Sequence, residues 1–216
     1  MVDKETNLQE IINVWEEKLK EKGMQVNPNK SKVMHIHKDK KDPNPTSHNF
    51  TMNGQMLEIV DQYKYLGTIF TQNGKINQEV KHRISQSSKI YYQINKTVIS
   101  KKEVDTKTKL QVYNSIYQPT LLYGAESWPI TRKIESQIVA TEMRYLRKIT
   151  NKTRKDRERN TNIREQLNIK PITQIIENKQ LKWYGHIKRM EKQRIPRKVK
   201  ETRMEEKRRR GRPRVT

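Results

Sequence analysis

The 216-residue sequence carries 47 Lys and Arg against 24 Asp and Glu, a formal net charge of +23 and a pI near 10.1, which makes a polyanion the expected partner. Without cysteine it can form no disulfide, zinc knuckle or catalytic thiolate. No apolar run approaches the roughly 18 residues of a membrane-spanning helix, and no hydrophobic signal region follows Met1, so an intracellular location is the default expectation.

The hydrophobic fraction of 31% stays well below the roughly 45–50% of ordinary globular domains even with glycine added. A thin core follows: either long helices with solvated faces, or a piece of a larger protein that has lost a packing partner.

Thr6 to Lys22 reads as an amphipathic helix, because Leu8, Ile11, Ile12, Trp15 and Leu19 recur at three- and four-residue spacing and Gly23 can end it. Met24 to Asn27 and Lys32 to His37 read as extended, separated by a Pro28-Asn29 turn. A polar, proline-containing loop spans Lys38 to Asn49. Asn53-Gly54 between apolar runs is a type I′ hairpin signal, and Tyr63 to Thr71 reads as a buried strand. From Lys75 the periodicity turns helical. Further helices are expected over Val104–Tyr117, stopped or kinked by Pro119, over about Arg132–Ile149, and over about Ile172–Met190. Asn151 to Asn162 reads as a loop or a solvated helix start. Arg197 to Thr216 has no apolar periodicity and reads as a disordered basic tail.

Several residue groups carry candidate chemistry. Lys152, Arg154, Lys155, Arg157 and Arg159 form the densest internal cationic cluster, suited to phosphate contacts. Lys81, Arg83, Lys89 and Lys96 are sparser candidates for the same role, with solvated charge as the alternative. Trp183, Tyr184 and His186 lie beside Lys182, Lys188 and Arg189, a composition that can stack bases next to a phosphate track, although an aromatic on a helix face is more often core. His35 and His37 share one face of an extended segment but have no third metal ligand nearby.

The ordered set of motifs resembles the reverse transcriptases of non-LTR (LINE-type) retrotransposons, from the end of the palm through the thumb to the C-terminal segment. Gly23-Met24-Gln25-Val26-Asn27 followed by Lys30-Ser31-Lys32-Val33-Met34 looks like motif D. Tyr63-Lys64-Tyr65-Leu66-Gly67 looks like motif E, the primer grip. Leu121-Leu122-Tyr123-Gly124-Ala125-Glu126-Ser127-Trp128, Arg144-Tyr145-Leu146-Arg147, Asp156-Arg157, Asn160, Ile163-Arg164 and Trp183-Tyr184-Gly185-His186-Ile187-Lys188-Arg189-Met190 resemble the family's downstream landmarks in order.

The resemblance implies an α+β chain. A small antiparallel palm remnant would occupy 1–74, a helical thumb-like region 75–130, a helical C-terminal region 131–193 and a disordered basic tail 194–216. It also implies that Lys30 and Lys32 lie near incoming nucleotide phosphates, and that Tyr65, Leu66 and Gly67 position a primer end; a solvated or core role is the alternative for each. The family's polymerase chemistry uses magnesium held by paired aspartates upstream of motif D. This sequence contains no Asp-Asp pair, so no catalytic residue and no cofactor is assigned to it. Expected partners are RNA or DNA, as primer–template or duplex, together with a separate palm and fingers portion of the same element.

Lys207-Arg208-Arg209-Arg210-Gly211-Arg212-Pro213-Arg214 resembles an AT-hook, with glycine permitting close approach to a narrow minor groove and the arginines following its negative potential. The same residues read as a nuclear localisation signal. Three readings follow: a non-catalytic reverse transcriptase fragment that binds nucleic acid, an adopted chromatin protein using the hook, and a degenerate product unable to fold alone.

Overall fold

A computed structural model describes residues 5–36 and 49–202, which divide between Glu79 and Val80 into two units. The chain is α+β, with short strands before Gln72 and only helices and loops after it among the described residues.

In the first unit, α1 (Glu5–Glu21) ends as its sequence predicts. Gly23 adopts φ +67°, its N–H reaches the Lys20 carbonyl at 2.9 Å, and the Met24 N–H reaches Leu19 at 2.8 Å, the paired bonds of a Schellman stop. Asn27 then caps a single 3₁₀ turn, Pro28–Lys30, by accepting from the Asn29 N–H at 3.0 Å. The strands are β1 (Lys32–Val33), β2 (Thr51–Met52), β3 (Gln55–Met56), β4 (Glu58–Ile59), β5 (Gln62–Tyr65) and β6 (Thr68–Thr71). The hairpin β2–β3 turns at Asn53 and Gly54, both at positive φ, as a type I′ turn requires.

Two expectations need correction. The pair β1–β4 is parallel, with Lys32 opposite Glu58 and Val33 opposite Ile59. Tyr63 to Thr71 is an antiparallel hairpin rather than one buried strand: Leu66 (φ +48°) and Gly67 (φ +85°) reverse the chain, leaving Tyr65 and Leu66 58% and 75% exposed. Met24–Asn27 joins no strand ladder, although Asn27 keeps the extended backbone expected of it (φ −87°, ψ 108°).

The core of this unit is small. Ile12, Phe50 and Leu57 are its buried apolar side chains, with Leu8, Val33 and Met52 packed around them. Gln9 docks α1 on β2 by donating to the Thr51 carbonyl and accepting from the Thr51 N–H, both at 2.9 Å. At about 1.5–3 kcal/mol for each fully buried side chain, this cluster contributes little against the entropy of ordering the unit. Meanwhile Ile11, Val14 and Trp15 face outward on α1.

The second unit is helical: α2 (Asn77–Ile94) continues into a π turn at Asn95–Ile99, followed by α3 (Thr106–Val112), a π turn at Tyr113–Tyr117, α4 (Gln118–Leu121), α5 (Arg132–Ile149), α6 (Asn160–Gln166), α7 (Ile172–Arg189) and α8 (Ile195–Glu201). Pro119 does not stop the chain at Tyr117. The preceding turn widens, the Gln118 N–H bonding Tyr113 O five residues back, and so accommodates proline's ring and missing donor. Helix α8 likewise extends into the segment expected to be a basic tail. It is held by Arg197, which donates to the Met190 carbonyl at 2.6 Å and to Glu201 at 2.8 Å. Residues 203–216, with Arg208, Arg209, Arg210, Gly211, Arg212, Pro213 and Arg214, lie outside the described residues, as does His37.

The core of the second unit is built around stacked tyrosines. Tyr113, Tyr117 and Tyr145 are fully buried, the last two with ring centroids 4.7 Å apart. Each hydroxyl is satisfied: Tyr113 donates to Glu142 at 3.2 Å, Tyr117 to Thr141 O at 2.8 Å and Tyr145 to Lys109 O at 3.0 Å. Burial pushes all three phenols well above their ordinary range. Leu121, Leu122, Ala125 and Trp128 pack inside, the chain turning at Gly124 (φ +76°), and α7 clasps this segment through Gln180, which donates to Trp128 O at 2.8 Å, and Lys179, which donates to Leu122 O at 3.1 Å.

Candidate nucleic-acid interface

Helix α5 has two working faces. Ile134, Ile138, Glu142, Tyr145, Leu146 and Ile149 point into the core, while Ser136, Val139, Ala140, Arg144, Arg147 and Lys148 recur at helical spacing along the wall of a cleft. Thr131 starts the helix by accepting from the Ile134 N–H. The cleft is about half open to solvent, has a volume of about 570 Å³ and is completed by Tyr91 of α2, Met143, Lys152, Thr153, Arg154 and Asn160. Its lining holds five cationic side chains and no carboxylate.

The loop after α5 is pinned rather than loose. Arg147 donates to Glu158 O at 2.9 Å, to Asn160 Oδ1 at 2.8 Å and to Thr153 O at 3.3 Å, so one guanidinium gathers both ends of the cationic segment. Asp156 folds the loop tip by accepting from the Thr153 N–H and hydroxyl at 2.5 and 2.8 Å, bonds that hold its carboxyl below the usual aspartate range. Asn151 and Arg157 both take positive φ, as tight turns demand. Below the loop, the fully buried Glu142 accepts from Arg164 at 2.5 Å. Burial pushes the Glu142 carboxyl upward, against the pull of Arg164 and the Tyr113 hydroxyl.

The residues expected to bind nucleic acid divide into separate groups. Lys152, Arg154, Lys155, Arg157 and Arg159 are all exposed on the pinned loop; Lys152 and Arg154 line the cleft, and Lys152 also pairs with Glu158 at 3.2 Å. Lys81, Lys89 and Lys96 are exposed on α2 and its π turn. Arg83 is buried, its guanidinium stacked 4.4 Å from the Tyr123 ring centroid, which takes it away from a phosphate role. In the first unit, Lys30 is exposed and its carbonyl accepts from the Tyr63 hydroxyl at 3.2 Å, while Lys32 is ion-paired with Glu58 across β1–β4. Tyr65, Leu66 and Gly67 form the β5–β6 turn. On α7, Trp183 is 37% exposed with its ring 5.5 Å from that of His186; Arg189 is exposed beside them. Tyr184 faces Lys200 of α8, whose ammonium lies 3.4 Å from the ring centroid and lowers the phenol pKa.

The sequence reading missed Arg144 and Lys148 as cleft residues, although their spacing from Ala140 marks a second helical stripe. His35 is half-buried, and no group of three metal-capable side chains occurs among the described residues. No described helix is long and apolar enough to cross a membrane.

No family model matches the chain, and no solved structure matches it. It is similar to an uncharacterized transposon-derived protein of Caenorhabditis elegans, with 25% identity over 186 residues, covering 84% of this chain and 64% of the relative. The chain therefore spans about 64% of the length of the curated relative it matches. This similarity fits a transposon origin.

Proposed function

We propose that this chain is the nucleic-acid-gripping part of a retrotransposon reverse transcriptase of the LINE type, holding RNA or DNA through phosphate contacts and contributing no polymerase catalysis itself. The observation that carries the reading is the cleft along α5, where Arg144, Lys148 and Arg154 face a space lined by no carboxylate and walled by a pinned basic loop. A surface of solubilising charge needs no such support, and its cations are ordinarily interspersed with acids. The ordered motifs from Gly23 to Met190 and the transposon-derived relative support the same origin. The polymerase aspartates of such an enzyme would come from residues other than these.

Binding to a labelled RNA–DNA hybrid across a salt series tests this. Release of counterions from about six phosphates predicts a log–log slope near −5. The double charge reversal Lys148→Glu, Arg154→Glu should weaken binding and flatten that slope. Salt-independent binding, or an unchanged slope in the double variant, would reject the assignment.

A further inference from the structure

The cleft is more than a strip of charge. Beside its cations the cleft is lined by an apolar floor of Val139, Ala140, Met143 and Tyr91, with Ser136, Thr153 and Asn160 as neutral polar groups. Its volume of about 570 Å³, in a hollow about half open to solvent, lies within the roughly 300–1,000 Å³ of small-molecule sites. A paired duplex offers such a hollow phosphates, sugars and base edges but no base face, because its bases are stacked on one another. An unpaired nucleotide offers both parts: a flat apolar base for the floor and a phosphate for the rim.

Resting on the nucleic-acid reading above, we propose that the α5 cleft seats an unpaired nucleotide of a single strand. The base lies over Val139, Ala140 and Tyr91, and the adjoining phosphates meet Arg144, Lys148 and Arg154. Each rim cation is in a state to serve. Among the described residues, Arg144 donates to a neutral partner, the Ser88 hydroxyl at 3.3 Å, and neither it nor Lys148 or Arg154 has an ion pair. Arg147 is occupied by the loop and acts as a positioning residue. Because Tyr91 is held by contacts to Tyr92 and Tyr145, the floor is formed before any ligand arrives.

The test compares labelled oligothymidylate and oligouridylate with a blunt duplex carrying the same number of phosphates, using the full chain. Single strands should bind more tightly than the duplex. Ala140→Trp, which fills the cleft from an exposed helix position, should weaken single-strand binding about tenfold, the value of one stacked base, and weaken duplex binding less, because the duplex presents no unpaired base to the filled space. Lys133→Trp, an exposed change on α5 outside the cleft, should leave both unchanged. Should Ala140→Trp fail to fold, photocrosslinking of 4-thiouridine-substituted oligouridylate to the unmodified chain decides. Adducts at Tyr91 or Met143 support the seat, and adducts confined elsewhere overturn it. Equal single-strand and duplex affinities with a silent Ala140→Trp overturn this inference while leaving the phosphate grip standing. Absence of salt-dependent binding to every probe overturns both.

Discussion

The guanidinium of Arg147 donates to the side-chain oxygen of Asn160 at 2.8 Å, and the same nitrogen reaches the Glu158 carbonyl at 2.9 Å. One side chain from the end of α5 thereby fixes the exit of the basic loop and the first residue of α6. Arg147→Lys keeps the charge but cannot span this fork. It should raise amide exchange across residues 150–159 and weaken nucleic-acid binding; unchanged exchange would show that the loop holds itself. Arg147→Ala should cost about 2 kcal/mol in denaturant unfolding, a value expected for bonds to a charged group at a partly buried site.

Glu142 and Arg164 are a buried pair, and removing one member leaves an uncompensated charge. Glu142→Ala should destabilise the chain by about 3–5 kcal/mol, whereas the double change Glu142→Leu, Arg164→Met should cost much less. Chemical denaturation of the three proteins checks this. Similar losses in the single and double variants would place the cost in packing instead.

Asp156 gives the loop a pH dependence of known sign. Its carboxyl is held below the ordinary value of 3.8 by the Thr153 N–H and hydroxyl. The stabilisation is therefore fully present above that ordinary value and disappears as pH falls through the lower, folded one. Protection of the Thr153 amide should decline on acidification in the native chain. In Asp156→Asn the decline should be absent, which amide exchange measured across that range reads directly.

Leu66 occupies the left-handed region at φ +48° in the β5–β6 turn, where a non-glycine residue is strained by roughly 1–2 kcal/mol. Leu66→Asn matches the turn's preferred chemistry and should raise stability by about 1 kcal/mol. If the residue also grips nucleic acid, the same variant will bind less tightly while melting higher. Thermal melting paired with an affinity measurement separates these outcomes.

Local chemistry made several elements legible. Asn53-Gly54 announces its hairpin because both residues tolerate positive φ, and Arg132–Ile149 announces its helix because apolar residues recur at helical spacing behind the Thr131 cap. The hairpin over Gln62–Thr71 was not legible, since a leucine stands at the first turn position, where positive φ ordinarily calls for Asn, Asp or Gly. Pro119 was legible only as a stop or a kink: the widened turn upstream that accommodates it has no signal in composition.

By itself, then, the sequence determined that this protein is strongly basic, free of cysteine, mostly helical after Thr71 and densest in cations over Lys152–Arg159. These are properties of composition and of neighbours along the chain. Only the tertiary structure decided what each charge does. It stacks Arg83 on Tyr123, pairs Lys32 with Glu58, spends Arg147 on a loop and turns Arg144, Lys148 and Arg154 toward a cleft. The physical reason is that a cation's role depends on which distant groups come to lie opposite it. Arg147 and Asn160 are 13 residues apart, and the cleft joins Tyr91 to Asn160; no local pattern encodes those distances.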